Sequence, residues 1–296
     1  MKPECCSELD RLHSHRHTDP SAEDITRCAR ALMQTGHTQI RGSASLQDGF
    51  GKIMSLYPQV GYDTKLEFSF PEQTDGFLPF GMERSNSTNR VDLCERYCYR
   101  HKFRCEHSTQ PFSHSDLYRT FAACEEELAE LSQRLIDAVA TECGVSVRIP
   151  LRDSSYLQYC SYDRCYRCTD REYLQDRHDD GNLITLAMAS SPGLVLFPRG
   201  QVVSLAPAGN EVVVFTGALL NVLSDGDIPP MEHAVQNLRS DVPRSSLVYF
   251  ALPDLSLTYQ SFRKGTAVSL AGLANRLHQS FGNIAFDDAG SRMTFS

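Results

Sequence analysis

Apolar residues recur every three or four positions in several parts of the chain, which is the spacing of an amphipathic helix. The clearest repeat covers residues 116–143, where Glu and Arg occupy the opposite face and Gly144 ends the pattern. Another repeat begins at Ser21, whose Ser-Ala-Glu-Asp sequence resembles a capping box, and ends at Gly36. The pattern predicts helices over residues 21–36, 46–56, 116–143 and 268–280.

The pattern changes after Gly144, where short β-rich runs recur about every ten positions between turn residues. This arrangement is typical of a sandwich or barrel. Residues 57–115 contain several prolines and glycines and are expected to be irregular. The runs predict strands over residues 38–40, 145–149, 156–160, 183–187, 194–197, 202–205, 211–216, 234–237 and 245–251.

These patterns also divide the chain. Residues 1–20 are rich in His and charged residues, so we expect a flexible N-terminal tail. Residues 21–296 are expected to form a single domain. Its front half (21–144) is predicted to be helical, and it packs on a mainly β back half (145–296) that ends in a helix.

Composition and charge exclude some classes of partner. The chain has 296 residues, with 29 Lys and Arg against 37 Asp and Glu, for a net charge of -8. An acidic balance without a polybasic run disfavours binding to nucleic acid or to an anionic membrane surface. No apolar stretch approaches the length of a membrane span, and the first 20 residues lack the apolar core of a secretory signal. We therefore expect a cytoplasmic protein.

Six of the eleven cysteines form two groups that are close in sequence. Cys165 and Cys168 make a CxxC motif, which suggests zinc binding or a redox pair. A structural zinc site normally has four ligands, and no second pair has suitable spacing, so buried or free thiols are the favoured interpretation. The two groups, whose function the sequence leaves open, are Cys94, Cys98 and Cys105, and Cys160, Cys165 and Cys168.

His178 and Asp180 are the first candidates for chemistry. Two residues apart on a strand, their side chains share a face. An imidazole beside a carboxylate supplies two of the three ligands of the 2-His-1-carboxylate triad that holds Fe(II). His233 is the candidate for the third ligand, from a distant strand. H-x-D alone is a weak signal, because a solvated His-Asp pair has the same sequence.

Arg244 and Ser246 make the second constellation, again two residues apart on a predicted strand. A guanidinium binds a carboxylate with two parallel hydrogen bonds, and a hydroxyl adds another donor. The pair therefore suits the distal carboxylate of a dicarboxylic keto acid. For an isolated Arg at the start of a strand, a surface ion pair is the more common role.

The chain resembles the isopenicillin N synthase-like branch of the Fe(II)/2-oxoglutarate-dependent oxygenases. The motifs that carry the resemblance are His178-x-Asp180, His233 and Arg244-x-Ser246. That family has H-x-D, then a distant H, then R-x-S. The resemblance covers residues 22–275. Further segments similar to the family are residues 35–40, 76–83, 92–95, 178–186, 193–195 and 225–229.

The resemblance implies a mainly β fold with a double-stranded β-helix (jelly-roll) core and flanking N-terminal and C-terminal helices. It implies that His178, Asp180 and His233 bind Fe(II). Arg244 and Ser246 would bind the C5 carboxylate of 2-oxoglutarate, and O2 is the second cosubstrate. Tyr162 is similar to a tyrosine that contacts the cosubstrate in the family pattern L-R-L-x-x-Y-P, although Gln158 replaces its Arg and no Pro follows.

The activity implied by the resemblance is oxidation of an unactivated C–H bond in a small molecule, by hydroxylation, desaturation or oxidative cyclisation. A role in specialised metabolism is expected. The substrate is expected to carry a carboxylate or to derive from an amino acid. Basic residues of the front half could bind a carboxylate, although surface charge is the favoured interpretation of most of them. These residues are Arg84, Arg90, Arg96, Arg100 and Arg104.

Two alternatives stay open. R-x-S does not prove use of 2-oxoglutarate, so an iron oxygenase that does not consume it is one alternative. The other is a non-enzymatic jelly-roll or zinc-binding interaction protein, in which the cysteines would hold the metal.

Overall fold

Two antiparallel sheets form the centre of the computed structural model, which describes residues 19–85, 87–146, 148–163, 169–205 and 210–286. Sixteen strands lie in these ranges. They are β1 (His37–Arg41), β2 (Ser69–Phe70), β3 (Asp75–Leu78), β4 (Arg84–Ser85), β5 (Arg90–Val91), β6 (Glu95–Tyr99), β7 (Tyr156–Tyr162), β8 (Tyr173–His178), β9 (Ile184–Ala189), β10 (Leu194–Leu196), β11 (Val203–Leu205), β12 (Glu211–Thr216), β13 (His233–Gln236), β14 (Arg244–Ala251), β15 (Thr258–Gln260) and β16 (Ala267–Ser269).

The major sheet has eight strands in the order β1-β12-β9-β14-β7-β6-β3-β2. The minor sheet has four, in the order β11-β10-β13-β8. Residues of both sheets line one cavity, so the interior between the sheets is partly open. This arrangement confirms the predicted mainly β fold with a jelly-roll core and flanking helices.

The helices in the described ranges are α1 (Ala22–Thr35), α2 (Ala44–Leu56), α3 (Tyr62–Glu67), α4 (Asp116–Glu142), α5 (Ala218–Leu223) and α6 (Ala271–Ser280). Helix α1 begins with the predicted capping box between Ser21 and Asp24 and ends at Gly36, whose φ of 77° is left-handed. None of these helices combines the length and the apolarity that crossing a bilayer requires.

Helix α4 packs against α1, α2 and the major sheet. Its apolar stripe, which includes Leu128, Leu135, Ile136 and Val139, is fully buried. The 3.6-residue period places these side chains on one face, so burial of the stripe fixes the helix on the sheet. The helix predicted from this periodicity is thus confirmed nearly to its ends.

The front part of the chain is less helical than predicted. Strands β1, β2, β3 and β6 all belong to the major sheet, and β6 pairs directly with β7 of the back part. The irregular segment predicted over 57–115 therefore contains sheet strands. They escaped detection because they are short and interrupted by single-turn 3-10 helices.

The predicted strand over residues 145–149 is wrong for its described residues. The backbone N–H of Val145 donates to the carbonyl oxygen of Ala140, which closes the end of α4 instead of joining a sheet. The last predicted helix begins at Ala271, because residues 267–269 form β16. Most of the predicted tail, residues 1–18, lies outside the described residues.

Glu125 on α4 is a buried carboxyl group, 1% exposed, at the face of the helix that meets the major sheet. Its Oε2 lies 3.3 Å from Arg152 Nη2. Burial raises the pKa of Glu125 to about 7, and the nearby Arg152 offsets only part of that effect. Because the folded state binds this proton more tightly than the unfolded state, its contribution to stability is lost as pH rises from about 4.5 to about 7.

We expect Glu125→Gln to change this pH dependence. The free energy of unfolding of the variant, relative to that of wild type, should increase by about 2 kcal/mol between pH 5 and pH 8. Urea unfolding at the two pH values measures it. Glu126→Gln is the matched control, because the neighbouring Glu126 side chain is 69% exposed. If the free energies of unfolding of Glu125→Gln and wild type differ by the same amount at both pH values, Glu125 does not titrate in this range.

Candidate metal centre and its cavity

Three potential metal ligands meet where the minor sheet ends. His178 is the last residue of β8, and His233 is the first residue of β13, directly opposite it in the antiparallel pairing. Asp180 follows two residues after His178, in the connection to β9 rather than on the strand as predicted. Each histidine Nε2 lies 3.7 Å from Asp180 Oδ1, and the three ligand atoms all lie within 4.8 Å of one another. The three ligand atoms can therefore bind one metal ion together, all from the same side of the ion.

Hydrogen bonds to the backbone orient both imidazoles. His178 Nδ1 donates to the carbonyl oxygen of Asp176 over 2.6 Å, and His233 Nδ1 donates to that of Met231 over 3.3 Å. Because a carbonyl oxygen only accepts, each Nδ1 carries the proton and each Nε2 lone pair is available to a metal. Burial also lowers the pKa of His233 to about 4, so its imidazole is neutral at neutral pH.

Asp180 is held by a short chain of hydrogen bonds. The hydroxyl of Thr185, on β9, donates to Asp180 Oδ2, and Asn182 Nδ2 donates to Thr185 Oγ1 over 2.8 Å. The second oxygen, Oδ1, is the one that faces the histidines. A Cβ atom at Gly217 would lie 2.2 Å from Asn182 Oδ1, so only glycine allows this loop to pack so closely.

Arg244 is the anion-binding candidate, on β14 of the major sheet, and it is 5% exposed. Its Nε donates to the carbonyl oxygen of Pro192 over 3.3 Å, but its Nη1 has no hydrogen-bond partner among the described residues. A buried guanidinium nitrogen without a partner is costly, so this group is suited to bind a carboxylate. Ser246 follows two residues later on the same strand and is also buried.

Tyr162 lies opposite Arg244 in the pairing of β7 with β14. The guanidinium carbon is 4.6 Å from the centre of the Tyr162 ring, which is within the range of a cation–π contact. The hydroxyl donates to Gln175 Oε1 over 2.9 Å. In this structure Tyr162 therefore supports Arg244 with its ring, and its hydroxyl is engaged elsewhere. A direct contact with cosubstrate stays a prediction.

All six residues singled out from the sequence line one cavity, which encloses about 1160 Å³ including its open mouth. Sequence reasoning missed Thr185, although it lies in a segment that resembles the family. It also missed Phe281, Asn283 and Phe286, which line the cavity beyond α6. No local pattern marks these three residues.

The cysteines do not form a metal site in the described ranges. The group formed by His178, Asp180 and His233 is the metal-binding cluster found there. Cys94 and Cys160 are free thiols buried in the interior. Cys98 is buried and Cys105 is exposed, whereas Cys165 and Cys168 lie outside the described residues.

None of the five front-half arginines predicted to bind a substrate carboxylate lines the cavity. Arg96 is buried in ion pairs with Glu83 and Asp92, and Arg90 pairs with Asp176. The geometry therefore does not support binding of a substrate carboxylate by these five arginines.

Residues 153–253 match the model of the 2OG-Fe(II) oxygenase superfamily, a segment that contains all six site residues. Several solved structures share the fold. A full-length Neurospora crassa protein, in complex with alpha-KG, has a TM-score of 0.68 and 20% identity, over 86% of this chain and 90% of that one. JOX2, in complex with 2OG, Fe and JA, has a TM-score of 0.68 and 18% identity, over 89% and 83%. The rice dioxygenase for auxin oxidation has a TM-score of 0.65 and 17% identity, over 90% and 92%. A search of curated protein sequences gave no match.

We expect Thr185→Val to weaken metal binding while the fold is kept, because Asp180 loses the hydroxyl that orients it. Loss of a partner that orients a metal ligand commonly lowers metal affinity by about 10- to 100-fold. Anaerobic calorimetric titration with Fe(II) measures the change. Thr216→Val is the control, because it removes another fully buried hydroxyl, bonded to the carbonyl oxygen of Pro229, from the adjacent strand β12. Equal affinities in Thr185→Val and wild type would remove Thr185 from this role.

Proposed function

We propose that this chain is a 2OG-Fe(II) oxygenase whose cavity oxidises an unactivated C–H bond of a small molecule, which the family match of residues 153–253 supports. The class of enzyme is a 2-oxoglutarate-dependent dioxygenase, with Fe(II) as metal and with 2-oxoglutarate and O2 as cosubstrates. The observation that carries the proposal is the position of Arg244. Its unpartnered Nη1 and the metal-binding group lie in the same cavity, on opposite sheets.

The roles of the residues follow from these positions. Nε2 of His178, Nε2 of His233 and Oδ1 of Asp180 would hold the iron, and Arg244 with Ser246 would hold the distal carboxylate of the cosubstrate. When bound, iron and 2-oxoglutarate supply the oxidising chemistry with O2. Thr185 keeps Asp180 in place, and Tyr162 supports the guanidinium. The apolar strands around the cavity limit the access of water to the reacting atoms.

The position of the cavity between the two sheets supports a small substrate, because cosubstrate and substrate must share it. Structures with the same fold have been solved with thymine bound, in the Neurospora crassa protein, and with JA bound, in JOX2. These ligands belong to those proteins, and they support only the class of small molecules here. Hydroxylation, desaturation or oxidative cyclisation are the outcomes we propose, in specialised metabolism, and the spacing of the motifs favours the isopenicillin N synthase-like branch.

Anaerobic titration of the protein with Fe(II) and 2-oxoglutarate tests the proposal. Chelation of iron by the keto acid produces a weak visible charge-transfer band, and we expect this band. Iron binding without it, and no succinate formed in air, would indicate an iron oxygenase that does not consume 2-oxoglutarate. Failure to bind iron would overturn the proposal.

We expect Arg244→Ala to weaken 2-oxoglutarate binding by about 2–4 kcal/mol, because a buried two-point contact with a carboxylate is lost. The midpoint of the 2-oxoglutarate titration measures this loss, and Fe(II) affinity should stay close to wild type. Arg239→Ala is the control, because the Arg239 side chain is 63% exposed. An unchanged midpoint in Arg244→Ala would show that the cosubstrate does not bind there.

The zinc-binding alternative has its own test. We expect the double variant Cys165→Ser and Cys168→Ser to retain its metal content, because the proposed ligands are His178, Asp180 and His233. Metal analysis of protein purified under reducing conditions measures it. Loss of metal from this variant, together with retention of metal by His233→Ala, would favour the alternative.

A further inference from the structure

Asn283 carries an unpartnered acceptor on the wall of the cavity. The residue follows α6, lines the cavity and is 6% exposed. Its Nδ2 donates to Glu83 Oε1 over 3.0 Å. A carboxylate oxygen only accepts, so the orientation of the amide is fixed. Its Oδ1 has no hydrogen-bond partner among the described residues, which is costly for a buried polar atom.

The same carboxylate orients a second amide. Gln158 Nε2 lies 3.1 and 3.2 Å from the two oxygens of Glu83, and Gln158 Oε1 accepts from the thiol of Cys160. Both amides therefore direct their N–H groups to Glu83. The donors of Gln158 and Asn283 that the structure records are engaged there, whereas Asn283 Oδ1 remains available as an acceptor.

Two carboxylates near Asn283 share one guanidinium. Glu83 forms an ion pair with Arg96, and Asp92 lies 2.6 Å from Arg96 Nη2. Arg96 is itself 4% exposed. One negative charge therefore remains that Arg96 does not balance, so a protonated amine is compatible with this wall as well as a neutral donor.

An anionic group, in contrast, is disfavoured. Arg244 is the single Lys or Arg among the described residues that line the cavity, and its position suits the cosubstrate. Arg100 lies against two rings of the wall, with its guanidinium carbon 4.6 Å from the centre of the Tyr156 ring and 5.0 Å from that of Phe286. These rings line the cavity, whereas Arg100 does not. A substrate carboxylate would find no free cation.

Aromatic rings form much of this wall. The rings of Tyr156 and Phe250 stack with their centres 4.7 Å apart, and the ring centre of Phe281 lies 5.5 Å from that of His178. Asn283 is two residues from Phe281, so the acceptor and the metal centre belong to adjacent parts of the cavity. Ring faces and edges favour contact with a flat, apolar molecule.

We propose that the substrate is a flat molecule without a carboxylate, whose N–H or O–H group donates to Asn283 Oδ1. This inference rests on the proposed function for the reaction, but recognition by Asn283 can be tested without it. Glu83 acts as a positioning residue, because it holds the amide with its oxygen free.

Pairs of small ligands that differ only in the donor test this inference. The probes are phenol with anisole, and indole with 1-methylindole, with benzoate and benzylammonium as charged comparisons. Ligand-observed NMR titration gives the affinities for the full chain, metal-free and with Zn(II) and 2-oxoglutarate added. We expect phenol and indole to bind about five- to tenfold more tightly than their methylated partners, as one neutral hydrogen bond predicts. Benzoate should bind more weakly than phenol and more weakly than benzylammonium.

Asn283→Leu should reduce the ratio within each pair to about one. Gln279→Leu is the control, because Gln279 is exposed near the end of α6, four residues before Asn283, and it should keep the wild-type ratio. If Asn283→Leu does not fold, Asn283→Ala and the wild-type ratios decide the question. Equal binding within the wild-type pairs, or tightest binding of benzoate, would overturn the inference. If the charge-transfer band forms but the two members of each probe pair bind equally, only this inference is refuted. If the donor probes bind more tightly than their methylated partners but the band does not form, only the proposed function is refuted.

Discussion

The pairing of β13 with β8 is the interaction on which the site depends. It sets His233 directly opposite His178, although the two residues are far apart in sequence. Strand β8 has a single neighbour in the minor sheet, so this one ladder determines the distance between the two imidazoles. Asp180 then needs only a two-residue extension beyond the strand to reach the same point. The carboxylate is made rigid from the other sheet, through Thr185 on β9.

The two sheets have different tasks. The minor sheet supplies both histidines, whereas the major sheet supplies Arg244 and Ser246. Strand β14 pairs on both sides, with β7 and with β9, and its register places Arg244 opposite Tyr162. A shift of one residue would turn Arg244 and Ser246 to the other face of the sheet. The positions of Arg244 and Ser246 are therefore fixed by backbone hydrogen bonds as much as by side chains.

The sequence predicted the chemistry of the site better than its surroundings. His178, Asp180, His233 and Arg244 were identified because few residue types suit a metal or a carboxylate, and their spacing narrows the choice. Helix α4 was predicted because its apolar period is long and regular. Strand β8 was missed because a polar edge strand has no apolar run to detect, as its sequence Tyr-Leu-Gln-Asp-Arg-His shows.

The hydrogen bond between Glu83 and Asn283 joins residues 200 positions apart, so no local pattern reveals it. Asn283 also lies outside both sheets, in a segment that no ladder of backbone hydrogen bonds constrains. Substitutions there alter one wall of the cavity and leave the metal ligands and the anion site in place. Substrate preference can therefore diverge among descendants of this chain while the oxidising apparatus is inherited unchanged. The wall beyond α6 is thus a part of the cavity in which a substitution leaves the backbone pairing of both sheets intact.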